Sequence, residues 1–139
     1  MSMKRTFYSS LLFSTNAITS LLAGYYLYSL CFVALSMSSL FLHGLQQNPI
    51  HYCIYYWVDQ VCIAAVVILG GIKFWQKTKT GHPLLIAIII GSFLFVVASF
   101  IGGKALEKMC FDPDKDVANL WHSIIHLVSS VGHHLIAVI

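Results

Sequence analysis

Residues 83–103 read PLLIAIIIGSFLFVVASFIGG, a run without a single charged side chain or histidine. A helix of about 20 apolar residues is long enough to cross the hydrocarbon core of a bilayer. Pro83 suits the first turn of such a helix, where its missing N–H would have no partner in any case. This stretch predicts a membrane-spanning helix and sets the class of the whole protein.

The composition of the remaining chain agrees with that class. Of its 139 residues, 58% are hydrophobic and only 9% are charged, against about 25% charged in an ordinary soluble domain. Residues 6–58 and 117–139 also lack charged side chains other than histidine. The sequence predicts one domain over residues 1–139, an all-α, polytopic transmembrane helix bundle with no room for a soluble domain.

The net charge of +3 comes from short loops and forms no basic patch. Charge of this kind indicates membrane topology and does not favour nucleic acid as a partner. The expected partners are the lipid bilayer and a lipid substrate, and the sequence does not indicate an oligomeric state.

Four spans are predicted. The first ends at His43, before the helix-stopping residues 44–49, GLQQNP. The others cover about residues 52–73, 83–103 and 117–139. An acidic run before the last span is suited to capping its first turn: Asp112, Asp114 and Asp116.

Residues 6–22 are ambiguous because Ser, Thr, Asn and Tyr interrupt their apolar pattern. In a four-span protein they extend the first helix or lie at the interface, as an uncleaved N-terminal segment. The positive-inside rule then places both termini in the cytoplasm. A separate crossing by this segment gives five spans and moves Lys4 and Arg5 to the other side. In this alternative five lysines and arginines lie on the side that carries Lys104, Lys108 and Lys115, and three lie on the other side. The charge bias between the two sides is therefore reversed.

Four ionisable residues share one side of the membrane in either topology. His43 closes the first span, Asp59 lies about two turns into the second, and His122 and His126 lie in the first turns of the last. Ionisable groups inside a membrane are costly and usually face the interior of the bundle. The four side chains can therefore form one cluster, which four spans place on the non-cytoplasmic side.

The spacing of the histidines is typical of a metal site. His122 and His126 form HxxxH, which presents two imidazoles on one face of a helix. His43 supplies a third imidazole, and Ser39 precedes it by one turn as SxxxH. Three neutral imidazoles with a fourth position for water are a common ligand set for catalytic zinc. For Asp59 a structural hydrogen bond to a neighbouring helix is the alternative role.

The order of these motifs is similar to that of a known family. Ser39 and His43 stand in SLFLH, Asp59 in YWVDQ, and His122 and His126 in LWHSIIH. This pattern resembles the CREST superfamily of alkaline ceramidases, progestin/adiponectin receptors and the myomaker group, in a shortened form because members typically have seven spans. The resemblance implies a helical membrane fold in which the histidines hold Zn²⁺. It also implies support by the aspartate and serine for the reacting water or carbonyl.

The leading hypothesis is a zinc-dependent intramembrane hydrolase acting on a lipid amide or ester. Asp59 would act as general base or orient a ligand, and Ser39 would donate to the developing oxyanion. One alternative is a b-type haem protein with His43 and a histidine of the last span as axial ligands. The other is a non-catalytic bundle, such as a small channel, an assembly partner or a degenerate relative that keeps zinc for stability.

Overall fold

The computed structural model describes residues 3–44, 49–79 and 81–139, with side chains from Arg5 onward. Within these ranges the chain forms α-helices and one 3-10 turn, and no strand. The predicted all-α class is confirmed. The helices are α1 (Met3–Ser10), α2 (Leu12–Leu22), α3 (Tyr26–Gly44), α4 (Pro49–Lys77), α5 (Pro83–Leu106) and α6 (Lys115–Val138), with the 3-10 turn at Met109–Phe111.

Three stretches of helix in the described ranges are long and apolar enough to cross a membrane: α3, α4, and α5 together with its extension to Phe111. Only 17% of the apolar window of α4 and 11% of that of α5 are buried, against 44% for α3. The outer faces of α4 and α5 are therefore available to lipid. Helix α6 has 24 residues, or about 36 Å, but is less apolar because it carries four histidines.

Local sequence signals account for the helix boundaries. Helix α3 ends at Gly44, next to the predicted end at His43. Helix α5 begins at Pro83, and the His82 side chain accepts a hydrogen bond from the Leu84 N–H. Asp114 caps α6 by accepting from the Asp116 N–H at 2.8 Å, which confirms the predicted capping role of the acidic run. Residues 45–48 of the predicted turn lie outside the described ranges.

Residues 6–22 do not extend α3. They form α1 and α2, an almost continuous helix interrupted only at Leu11, and the chain then reverses direction at residues 23–25. Gly24 permits this reversal with a φ of 79°, a left-handed conformation that other residues adopt at a cost. The segment is therefore a separate helical arm and not the start of α3.

Hydroxyl groups hold this arm antiparallel to α3. The Oγ atoms of Ser14 and Ser36 lie 2.7 Å apart, and nearer the reversal Ser29 Oγ donates to the Ala17 carbonyl at 2.7 Å. At the opposite end, the Phe7 ring lies against Gly44. The arm therefore follows α3 along its whole length and brings Ser9 to the end of the bundle where α3 stops.

Helices α3 and α6 face each other without close backbone contact in the described ranges, and the α1–α2 arm packs against both. Long side chains bridge α3 and α6: His43 reaches His122 at one end, and Tyr28 hydrogen-bonds His133 at the other. Buried Asn16 and Ser130 fix the arm against α6 through two hydrogen bonds, of 2.7 and 2.9 Å. The register of these helices is thus set by polar contacts.

Candidate metal centre

Three imidazoles meet at one end of the bundle. His43 comes from the last turn of α3, and His122 and His126 come from successive turns of α6. One potential ligand atom from each lies within 4.8 Å of the other two. The His43 ring centroid is 5.0 Å from that of His122 and 5.8 Å from that of His126. The structure therefore brings together all three residues predicted to be metal ligands.

His126 is the buried member of the cluster, and within the described part of the chain a nitrogen of His43 lacks a hydrogen-bond partner. His126 is 6% exposed and packs edge-on against the Phe13 ring, with centroids 5.0 Å apart. His43 Nε2 is buried and has no hydrogen-bond partner among the described residues. A buried polar atom left unpaired costs about 1–3 kcal/mol. A bound cation would remove that cost for His43.

Asp59 lies beside the histidines in the third turn of α4 and is 4% exposed. Its Oδ1 accepts hydrogen bonds from Ser38 Oγ at 2.9 Å and from Ser39 Oγ at 2.5 Å. The carboxylate also interacts electrostatically with His122. The predicted aspartate and serine are therefore in direct contact.

Two residues of this site were not predicted from the sequence. Ser38 shares the Asp59 oxygen with Ser39, and Ser9 of α1 lies 2.9 Å from His126 Nδ1. A helical pattern in the N-terminal segment would have indicated that it packs inside the bundle. Its buried residues lie on one helical face, three or four positions apart except for the adjacent pair Asn16 and Ala17: Thr6, Ser10, Phe13, Asn16, Ala17 and Ser20.

The other two histidines of α6 lie away from the cluster. His133 shares a hydrogen bond with the Tyr28 hydroxyl through Nδ1 and packs edge-on against Phe32. Gly70 makes space for this pair, because a Cβ there would lie 2.7 Å from the Tyr28 hydroxyl. His134 contacts Thr15. These contacts are of the kind that fix helix packing.

Comparisons of the chain with protein-family models, curated proteins and solved structures give no match. The similarity to the CREST superfamily therefore depends on the five motif residues alone. The functional proposal below is carried by the geometry of the site.

Proposed function

We propose that this protein is a zinc-dependent hydrolase of lipid amides or esters, with its site at one end of a multi-pass helical bundle. The observation that carries the proposal is the convergence of three imidazoles from α3 and α6 beside the buried carboxylate of Asp59. A packing role alone would not require so many ionisable groups at one depth of an apolar bundle.

The donor set fits zinc. Ligand nitrogens of a tetrahedral zinc site lie about 3.4 Å apart, from bond lengths of about 2.0–2.1 Å. The three candidate ligand atoms lie within 4.8 Å of one another, so binding would require them to approach by about 1.4 Å at most. The unpartnered Nε2 of His43 would gain a partner by coordinating the ion. When bound, zinc supplies Lewis-acid polarisation of a carbonyl and acidification of water.

The haem alternative is less compatible with the site. Axial imidazoles must stand on opposite faces of a porphyrin, with the macrocycle between them. Here the His43 ring makes an edge contact with His122 and His122 with His126, at centroid distances of 5.0 and 4.7 Å. These direct ring contacts favour three ligands around one small ion.

Asp59 is the candidate proton acceptor. The Ser38 and Ser39 hydroxyls hold its Oδ1, which leaves Oδ2 to accept the proton of an attacking water. Ser39 donates its single proton to the carboxylate, and we therefore assign to Ser39 the role of orienting Asp59. This differs from the oxyanion-binding role expected from the sequence. Proton transfer to a positioned group of this kind contributes about 10²- to 10⁴-fold to a rate.

An apolar groove beside the site favours a lipid substrate. It measures about 460 Å³, lies between α1 and α3, and is lined by Phe7, Met37, Leu40, Phe41 and Gly44. An acyl chain in this groove would lie along α3 as far as Gly44, the residue that follows His43.

Purified protein tests the proposal. We expect about one zinc per chain in protein prepared without chelators, and loss of that zinc in His126→Ala. His134→Ala, the same change on the same helix outside the cluster, serves as the control and retains zinc. Release of fatty acid from a panel of N-acyl and O-acyl lipids, followed by mass spectrometry, then tests hydrolysis.

Elemental analysis of the wild type without zinc would overturn the metal proposal. Zinc binding without turnover on any lipid of the panel would overturn the hydrolase and support a bundle that uses zinc for stability. Both results can be obtained on the same detergent-solubilised preparation, so the two parts of the proposal are tested separately.

The position of α1 also changes the expected sidedness. Because the α1–α2 arm is antiparallel to α3, Lys4 and Arg5 belong to the end of the bundle that carries the site. That end then has five basic residues, and the opposite end has three: Lys73, Lys77 and Lys79. The positive-inside rule now favours a cytoplasmic site, whereas the four-span prediction placed it on the other side.

Glycosylation mapping tests this orientation. An N-glycosylation acceptor inserted after Lys79 should be modified in eukaryotic membranes, because this end would face the lumen. The same acceptor inserted after Asp112 is the control and should remain unmodified. The reverse pattern would restore the orientation expected from four spans.

A further inference from the structure

The Ser9 hydroxyl lies between a carbonyl and a candidate metal ligand. Its Oγ is 3.0 Å from the Thr6 carbonyl oxygen and 2.9 Å from His126 Nδ1. A carbonyl can only accept a hydrogen bond, and a serine hydroxyl has one proton to donate. When Ser9 donates to Thr6, its oxygen must accept from His126. This arrangement requires a proton on His126 Nδ1.

The position of that proton decides which nitrogen can bind a metal. A neutral imidazole protonated at Nδ1 carries its free lone pair on Nε2. Packing of the Phe13 ring against His126 restricts rotation of the imidazole. With Nδ1 occupied by Ser9, Nε2 is the atom left to join His43 and His122 in the cluster.

We infer that Ser9 is a positioning residue that fixes His126 as the Nδ1–H tautomer, with Nε2 available to the metal. This inference rests on the proposed metal site, but the tautomer itself exists whether or not zinc binds. Helix α1 contributes none of the three imidazoles of the cluster, yet it would control the affinity of the site. Removal of a hydrogen-bond partner of a metal-bound histidine typically weakens metal binding by about 10- to 100-fold.

The tautomer can be measured directly in the metal-free 139-residue chain. Nitrogen NMR of histidine-labelled samples distinguishes the two neutral tautomers, and His126→Ala assigns the signal. We expect the Nδ1–H form in the wild type and a mixture in Ser9→Ala. Ser10→Ala is the matched control, because the buried Ser10 hydroxyl donates to the same Thr6 carbonyl at 2.8 Å. It should keep the wild-type tautomer.

Zinc affinity provides the second readout, by competition with a chromophoric chelator. We expect Ser9→Ala to bind zinc about 10- to 100-fold more weakly, and Ser9→Thr, which restores the hydroxyl, to recover the affinity. An Nε2–H tautomer in the wild type, or unchanged affinity in Ser9→Ala, would overturn the inference. A wild type that shows the Nδ1–H tautomer but binds no zinc would overturn the metal site and leave the role of Ser9 supported.

Discussion

Asp59→Asn should retain zinc and lower lipid hydrolysis by about 10²- to 10⁴-fold, the usual contribution of a general base. The amide has nearly the same shape as the carboxylate, and its oxygen can still accept from Ser38 and Ser39. It cannot take the proton of an attacking water. Initial rates and zinc content measured on the same samples separate loss of the base from loss of the metal.

Asp116→Asn is the matched control, because it makes the same change in an exposed carboxylate at the start of α6. It should leave both rate and zinc content unchanged. Wild-type turnover in zinc-loaded Asp59→Asn would exclude Asp59 as the base. Loss of zinc in that variant would instead indicate that the carboxylate holds the ligands in place.

Removal of zinc should lower the stability of the wild-type bundle. A ligand present at about 1,000 times its dissociation constant stabilises the folded state by about 4 kcal/mol. The metal would bridge α3 and α6, which lack close backbone contact in the described ranges. Thermal unfolding in detergent, with excess zinc and then with a zinc chelator, should therefore show a large decrease for the wild type.

His122→Ala should unfold at the same temperature with and without the chelator, because its site no longer holds zinc. His134→Ala keeps the cluster intact and should respond as the wild type does. Identical unfolding curves for wild-type protein with zinc and with chelator would show that no metal links these helices.

The helices were largely predictable because their apolar runs are long and end at strong signals. Pro83 begins α5, the acidic run precedes α6, and α3 ends beside His43. The sequence does not decide whether residues 6–22 form a separate helix in the membrane. A hydropathy scale counts their polar residues as unfavourable for a membrane helix, whether the side chains face lipid or other helices. In the structure Thr6, Ser10, Asn16 and Ser20 are buried, and Ser14 and Asn16 form hydrogen bonds to other helices, which compensate for lost apolar contacts.

The ionisable residues of the site stood out for a simple reason. An aspartate or histidine in an otherwise apolar helix is costly, and helical spacing placed His122 and His126 on one face. Ser9 and Ser38 gave no comparable signal, since serine is common at helix contacts in membranes. Their roles depend on distances between residues far apart in the chain, such as the 117 positions between Ser9 and His126.

The clamp between Asn16 and Ser130 has a consequence for biosynthesis. These partners are separated by 114 positions, so the ribosome makes the polar arm long before α6 can accept its hydrogen bonds. Until then, the arm should remain at the membrane surface, in contact with water. Nascent chains arrested before α6 should leave an engineered thiol at Asn16 open to water-soluble reagents, and protection at that stage would contradict this order. The proposed metal site, which needs both histidines of α6, would then assemble only at the end of synthesis.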